Sequence, residues 1–213
     1  MRGMGMGRAP LLPVAALVAL VLLAAGCGER QIVSSEREVT GGGTTAETTA
    51  GGQGYQGIVD SYAVANAEIR EEGGEKTVGE YRIGYIVEPA EGWWEGDPQN
   101  LQWREPSPDE THHLEILPFD RRTGLLIPEM EGRLYVIDEN GEVVDEQPLR
   151  FYYAEFYHYA NNFSIPRSGT YTLRAELQPP DFRRHGEESG EGRVFTEPVV
   201  VEFEGVRITS EGG

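Results

Sequence analysis

From about residue 78 onward the chain is patterned in twos. Tyr81, Ile83, Tyr85 and Val87 interleave with Arg82, Gly84 and Glu88, so one face of an extended segment is apolar. Tyr171, Leu173, Ala175 and Leu177 alternate with Thr172, Arg174 and Glu176 in the same way, and Val199, Val201 and Phe203 repeat it. Gly205 then interrupts the rhythm as a bulge would, before Val206 to Ile208. Further strands are expected over Thr111 to Phe119, Arg133 to Asp138 and Glu142 to Leu149. Asn140-Gly141 supplies the turn between the last two, since both residues tolerate positive φ. The segment from Pro89 to Asp109, with Trp93, Trp94 and Trp103, reads as a long, turn-rich excursion. Ile58 to Arg70 fits a short helix and a strand equally well. Six to eight short strands, with no convincing helix after residue 75, predict an all-β fold: one antiparallel, immunoglobulin-like β-sandwich.

The amino-terminal quarter follows a different logic. Arg2 and Arg8 precede an apolar run, Leu11 to Ala25, that is short for a membrane span, and Ala24-Ala25-Gly26 lead into Cys27. Small residues ending in cysteine resemble the lipobox of bacterial lipoproteins; an ordinary signal peptide is the plainer alternative. The expected organisation is a leader over residues 1–26, a flexible Gly/Thr/Ser-rich tether over 27–56, and the sandwich over 57–213. A lipidated Cys27 would anchor the protein on the outer face of a membrane. It is the chain's one cysteine, so no disulfide is expected to support the fold.

Charge narrows the partners. The formal net charge is −18, and removing Arg2 and Arg8 with the acid-free leader leaves −20. Nucleic acid is a poor partner for such a chain, because phosphate binding rests on Lys and Arg. Cation capture is compatible with it, as is plain solubility outside the cell.

Candidate chemistry lies in the four histidines. In Thr111 to Phe119, alternation places His112, Leu114 and Ile116 on one face and His113, Glu115 and Leu117 on the other. His113 and Glu115 are thus within reach of one ion, or are two solvated residues of a surface strand. His158 sits in the aromatic stretch Phe151 to Asn162, as a metal ligand or as a packed imidazole. His185 lies in a polar, glycine-punctuated loop, where an exposed histidine is the commoner outcome. Spacing alone leaves convergence open.

The region from residue 113 to 208 resembles the periplasmic ferrous-iron transport family of small copper- and iron-binding β-sandwich proteins, many of them lipoproteins. His113-Leu114-Glu115, Ile127-Pro128 and His158-Tyr159-Ala160-Asn161-Asn162 are similar to its motifs in order. So are Gly169-Thr170-Tyr171 through Pro179-Pro180, and Arg184-His185 followed by Gly190-Glu191-Gly192, Phe195 and Glu197-Pro198. The resemblance implies that His113, His158 and His185 share an ion, with Glu115 as an oxygen ligand. It also implies a homodimer and a membrane iron permease as partner. One departure stands out. The family has a methionine ligand seven residues before the His-Tyr histidine, where this chain has Phe151. Without that thioether the preference for Cu(I) weakens, and Tyr157, Glu155 or water is left to fill the position. Met130, the one methionine beyond the leader, is not expected to reach it.

The function expected is capture of iron, with or without copper, and handover without catalysis. Metal-dependent ferrous oxidation is the enzymatic variant of the same site. The alternative class is a lipid-anchored interaction module without a functional metal site, using Trp93, Trp94 and the 151–159 aromatics for contact. No Gly-x-Ser-x-Gly elbow points to a hydrolase. Imidazoles must be neutral to ligate, so affinity is expected to fall below about pH 6.5.

Overall fold

A computed structural model of the protein describes residues 51–186 and 192–210. The leader, Cys27, tether residues 27–50 and loop residues 187–191 lie outside the described residues. The first element is a helix, α1 (Gly51–Glu71), followed by eleven strands. These are β1 (Gly73–Val78), β2 (Tyr81–Pro89), β3 (Trp93–Asp97), β4 (Asn100–Arg104), β5 (His112–Asp120), β6 (Gly132–Ile137), β7 (Val143–Pro148), β8 (Arg150–Tyr153), β9 (Tyr157–Phe163), β10 (Gly169–Leu177) and β11 (Val199–Ile208). They form a five-stranded sheet ordered β1-β2-β5-β9-β8, a four-stranded sheet ordered β11-β10-β6-β7, and a separate β3-β4 hairpin. All pairings are antiparallel. The all-β sandwich expected from the alternation is what the chain builds.

The core between the two larger sheets is assembled from the positions that period two selects. Ile83, Leu114, Ile116, Tyr159 and Phe163 come from the five-stranded sheet, and Leu134, Val136, Leu173, Ala175 and Val201 from the other. Around Gly205, φ +74°, the β10–β11 register slips so that Glu204 and Gly205 together face Thr172. This bulge is why Val206 and Ile208 stay buried after Val199, Val201 and Phe203, although the spacing changes. At the Asn140-Gly141 turn, Asp138 Oδ1 accepts from the Asn140 and Glu142 backbone N–H groups at 2.9 Å each. That carboxylate holds the loop which returns β7 against β6.

The outer face of the five-stranded sheet is not left to water. Ile86, Leu117 and Phe119 point outward and pack against Ala65 and Ile69 of α1 and against Phe156. A Cβ on Gly84 would stand 2.6 Å from Ile69 Cδ1, so the missing side chain lets the helix settle onto β2. The segment that periodicity left undecided is therefore a helix, beginning at Gly51 inside the stretch expected as tether. Tyr62, Ala65 and Ile69 recur at helical spacing and supply its buried face. Covered on both sides, β5 is buried over His112 to Phe119. Among the described residues no helix is long and apolar enough to cross a membrane.

Candidate metal centre

The chemistry collects on the outer face of the five-stranded sheet, where β5 and β9 lie side by side. The register pairs His113 with Asn162 and Glu115 with Ala160, and His158 sits two residues beyond Ala160 on that same face. One ligand atom from each of His113, Glu115 and His158 lies within 4.8 Å of the others. His158 Nε2 is 3.5 Å from Glu115 Oε1, and the two imidazoles are perpendicular with centroids 6.1 Å apart. All three residues are buried, at 2%, 4% and 5% exposure for His113, Glu115 and His158.

Asn162 fixes how His113 presents itself. Its Oδ1 accepts from the Glu91 backbone N–H at 3.2 Å, and its Nδ2 donates to the Glu91 carbonyl at 2.8 Å. That clamp sets which end of the amide is oxygen. His113 Nδ1, 2.9 Å from Asn162 Oδ1, must then carry the proton, which leaves Nε2 with its lone pair free. This is how outer-sphere partners commonly set imidazole ligands. Glu110 braces the arrangement through its ion pair with Arg104 at 2.6 Å and a longer bond from Asn162 Nδ2 at 3.4 Å.

Two other atoms have no partner within the protein. Glu115 Oε2 and His158 Nδ1 are buried without a hydrogen bond. A buried polar atom left unpaired is costly, so an unpaired carboxylate oxygen beside a free imidazole lone pair favours a bound partner at this cluster. The donor set of two imidazoles and a carboxylate suits a borderline or moderately hard divalent ion.

Burial governs the charges. His158 is pushed down to about 4, first by desolvation and then by the His113 ring, and desolvation lowers His113 as well. Glu115 is pushed up to about 9 by desolvation, reinforced by Glu88, Glu68 and Glu91. Glu88, beside His113 in the β2–β5 register, rises to about 7 for the same reasons. At neutral pH the cluster is uncharged, with imidazoles neutral and Glu115 protonated. The expectation that histidine protonation near pH 6.5 limits binding is thereby corrected. Burial lowers both imidazoles from their ordinary range, His158 to about 4, and deprotonation of Glu115 becomes a pH-sensitive step.

The aromatic stretch forms the surrounding wall. The Tyr152 ring stacks on His158 at 5.6 Å and meets His113 edge-on at 5.7 Å; Trp93 from the hairpin lies 5.4 Å from Tyr152. Phe156 closes the other side of His158 at 5.4 Å. Phe151 pairs with Tyr159 in the β8–β9 register and packs against Tyr157 and Tyr159, so its ring lies on the opposite face of the strand from Tyr152 and His158. Tyr157 is half exposed in that same stack, and Glu155 occupies the turn before β9, its carbonyl accepting from Ser61. Neither belongs to the three-residue cluster.

The remaining histidines separate clearly. His112 points to the other face, as alternation predicts, buried with Nδ1 at 2.8 Å from Thr111 Oγ1 and Nε2 at 3.2 Å from the Thr209 carbonyl. His185 is exposed on its loop and does not join His113, Glu115 and His158 within the chain. That loop is tied elsewhere: Arg184 donates to the carbonyls of Pro180, Val194 and Phe195, and the Phe195 N–H donates to Glu80. Met130 is buried in the core between the sheets. The orienting role of Asn162 was missed by sequence reasoning, and only its place in the His158 motif hinted at it.

The chain matches no protein-family model and no curated protein sequence. Its fold is similar to solved structures. A copper-bound variant of Campylobacter jejuni P19 superposes with TM-score 0.51 and 18% identity, covering 64% of this chain and 94% of that one. A second copper-bound P19 variant gives 0.52 and 18%, over 65% and 96%. A copper-bound variant of FetP from uropathogenic Escherichia coli strain F11 gives 0.50 and 19%, over 66% and 94%. At these identities the likeness establishes the fold.

Proposed function

We propose that this is an extracytoplasmic, lipid-anchored metal-binding protein that captures iron, with copper as a second ion of the site, and passes it to a membrane iron permease. The observation that carries the reading is the buried convergence of His113, Glu115 and His158, with Glu115 Oε2 left unpaired. The copper-bound state of the P19 and FetP variants that share the fold supports it. An ion held here would draw on His113 Nε2, His158 and the Glu115 carboxylate, and would supply the positive charge that lets Glu115 ionise at neutral pH. Binding and release, rather than turnover, is what this donor set serves in the proposal. His185, exposed and outside the cluster of its own chain, fits the homodimer part of the reading: a second copy's loop can approach a site that its own chain leaves one histidine short.

Calorimetric titration of the purified protein with Cu(II) and Fe(II) at pH 7.5 tests the site. One ion per chain, lost in His158→Ala and kept in His112→Ala, is expected; equal binding by all three proteins sinks the proposal. Membrane fractionation of Cys27→Ser tests the anchor, which should shift the protein to the soluble fraction. Sedimentation of His185→Ala with and without ion tests the dimer.

A further inference from the structure

The cluster opens onto a cleft of about 470 Å³, with His113 and His158 in its lining. Its other walls are aromatic: Trp93, Trp94, Trp103, Tyr152 and Tyr153. Trp94 and Trp103 meet edge-on at 5.4 Å and are 63% and 47% exposed, while Tyr153 is 73% exposed. A bare ion does not use such a space. One water occupies roughly 30 Å³ of liquid, so an ion with a few waters leaves most of the cleft unfilled. Small-molecule pockets, by contrast, run to roughly 300–1,000 Å³ and are mainly apolar and aromatic. A flat π-system gains directly from aromatic walls of this kind.

Charge refines the class. Glu91, Glu95 and Arg150 are the charged residues lining the cleft, a balance that favours a neutral or singly positive guest over a multiply anionic one. Tyr152 adds a buried hydroxyl without a hydrogen-bond partner. A complex of one ferric ion with one aromatic dianionic oxygen chelator is flat, carries a single positive charge and keeps coordination positions free. Those positions would face the two imidazoles that line the cleft, His113 and His158.

We propose that the cleft binds a flat aromatic oxygen chelator of the salicylate or catechol class, so that the metal enters as its one-to-one chelate. The inference rests on the metal-binding reading of His113, Glu115 and His158 and adds the form in which the ion arrives. The aromatic walls hold the chelator ring. The ion faces the imidazoles and exchanges ligands without crossing open water.

All three tryptophans of the chain line this cleft, so tryptophan emission reports on it alone. The test compares ferric salicylate with ferric malonate, two dianionic chelates of equal ring size and charge, only one of them aromatic. Ferric salicylate is expected to quench tryptophan emission and to bind several-fold to ~10-fold more tightly than ferric malonate, the scale of one well-formed aromatic contact. Trp103→Leu and Trp94→Leu, both at exposed positions, should each reduce that preference several-fold while leaving ferric malonate binding unchanged. Iron-free salicylate should quench weakly, and equally in His158→Ala. That arm separates the two ideas: if His158→Ala binds ferric malonate normally, the metal site is wrong whatever the cleft does. Equal affinity for the two chelates, or an unchanged preference in both tryptophan variants, overturns the proposal. Exclusion of ferric salicylate at protein concentrations where the chain is dimeric would assign the cleft to a second copy and overturn it as well.

Discussion

The two faces of β5 carry the same strand to opposite ends. Inward, Leu114 and Ile116 are fully buried among aliphatic and aromatic neighbours from both sheets. Outward, His113 and Glu115 are nearly as buried, yet they keep a free imidazole lone pair and an unpaired carboxylate oxygen beside the orphaned His158. On the inner face of β5 even the polar His112 is paired, with Thr111 and Thr209. The outer face is incomplete, and helix α1 and the β3–β4 hairpin shelter that incompleteness from water. Burial does not separate core from site here; the unfilled hydrogen-bonding capacity of the outer face does.

The largest effect that would sharpen this contrast is inward. Leu114→Ala should destabilise the protein by about 2–5 kcal/mol, as large-to-small changes in packed cores do, measured by denaturant unfolding without metal. Outward, His158→Ala should leave unfolding nearly unchanged but lower Cu(II) affinity by more than the roughly 10–100-fold that an outer-sphere partner carries. A large loss of metal-free stability in that variant would break the comparison, because it would make His158 a core residue. Asn162→Asp should fall within that ~10–100-fold range, since the clamp on His113 Nδ1 is altered while the ligands persist.

Glu115→Gln gives a smaller effect of opposite sign. The Glu115 carboxyl is raised to about 9, so the folded state holds a proton that the unfolded chain gives up above about 4.5. Its contribution to metal-free stability is therefore present below pH 4.5 and lost as pH rises toward 9. The amide removes that loss, so Glu115→Gln should be more stable than the parent at pH 8 without metal, by on the order of 1 kcal/mol. It should also bind ions more weakly and flatten their pH dependence. In the parent, affinity should rise from pH 5.5 to 8 with about one proton released per ion bound, read by calorimetry in buffers of different ionisation enthalpy. The smallest effect is expected at His112→Gln, on the inward face, with ion affinity unchanged.

How much of this is legible in the sequence follows from range. The co-facial placement of His113 and Glu115 needs only period two, and the structure agrees. The bulge at Gly205 and the turn at Asn140-Gly141 are equally local. The meeting of β5 with β9 is not local, since the pairing of Glu115 with Ala160 spans forty-five residues. Resemblance supplied it, not spacing. Helix α1 escaped because its buried face is a few residues, Tyr62, Ala65 and Ile69, while Tyr55, Ile58 and Val59 stay exposed and blur the period. With α1 unassigned, nothing showed that the outer face of β5 would be covered. A solvated His113 with an ordinary pKa therefore remained open. His185 could be given to the shared ion only by the resemblance, and its own chain leaves it outside.

Tyr159 adds one more consequence. Its hydroxyl accepts from the Met130 N–H and donates to the Ile127 carbonyl, each at 3.0 Å, inside the buried core. The residue next to His158 is thus tied to the buried segment that follows β5. The imidazole cannot drift to suit a guest of another radius unless the middle of the protein shifts with it. Discrimination among ions is in this way set when the chain folds, and a poorly matched ion is met by a rigid frame rather than an accommodating one.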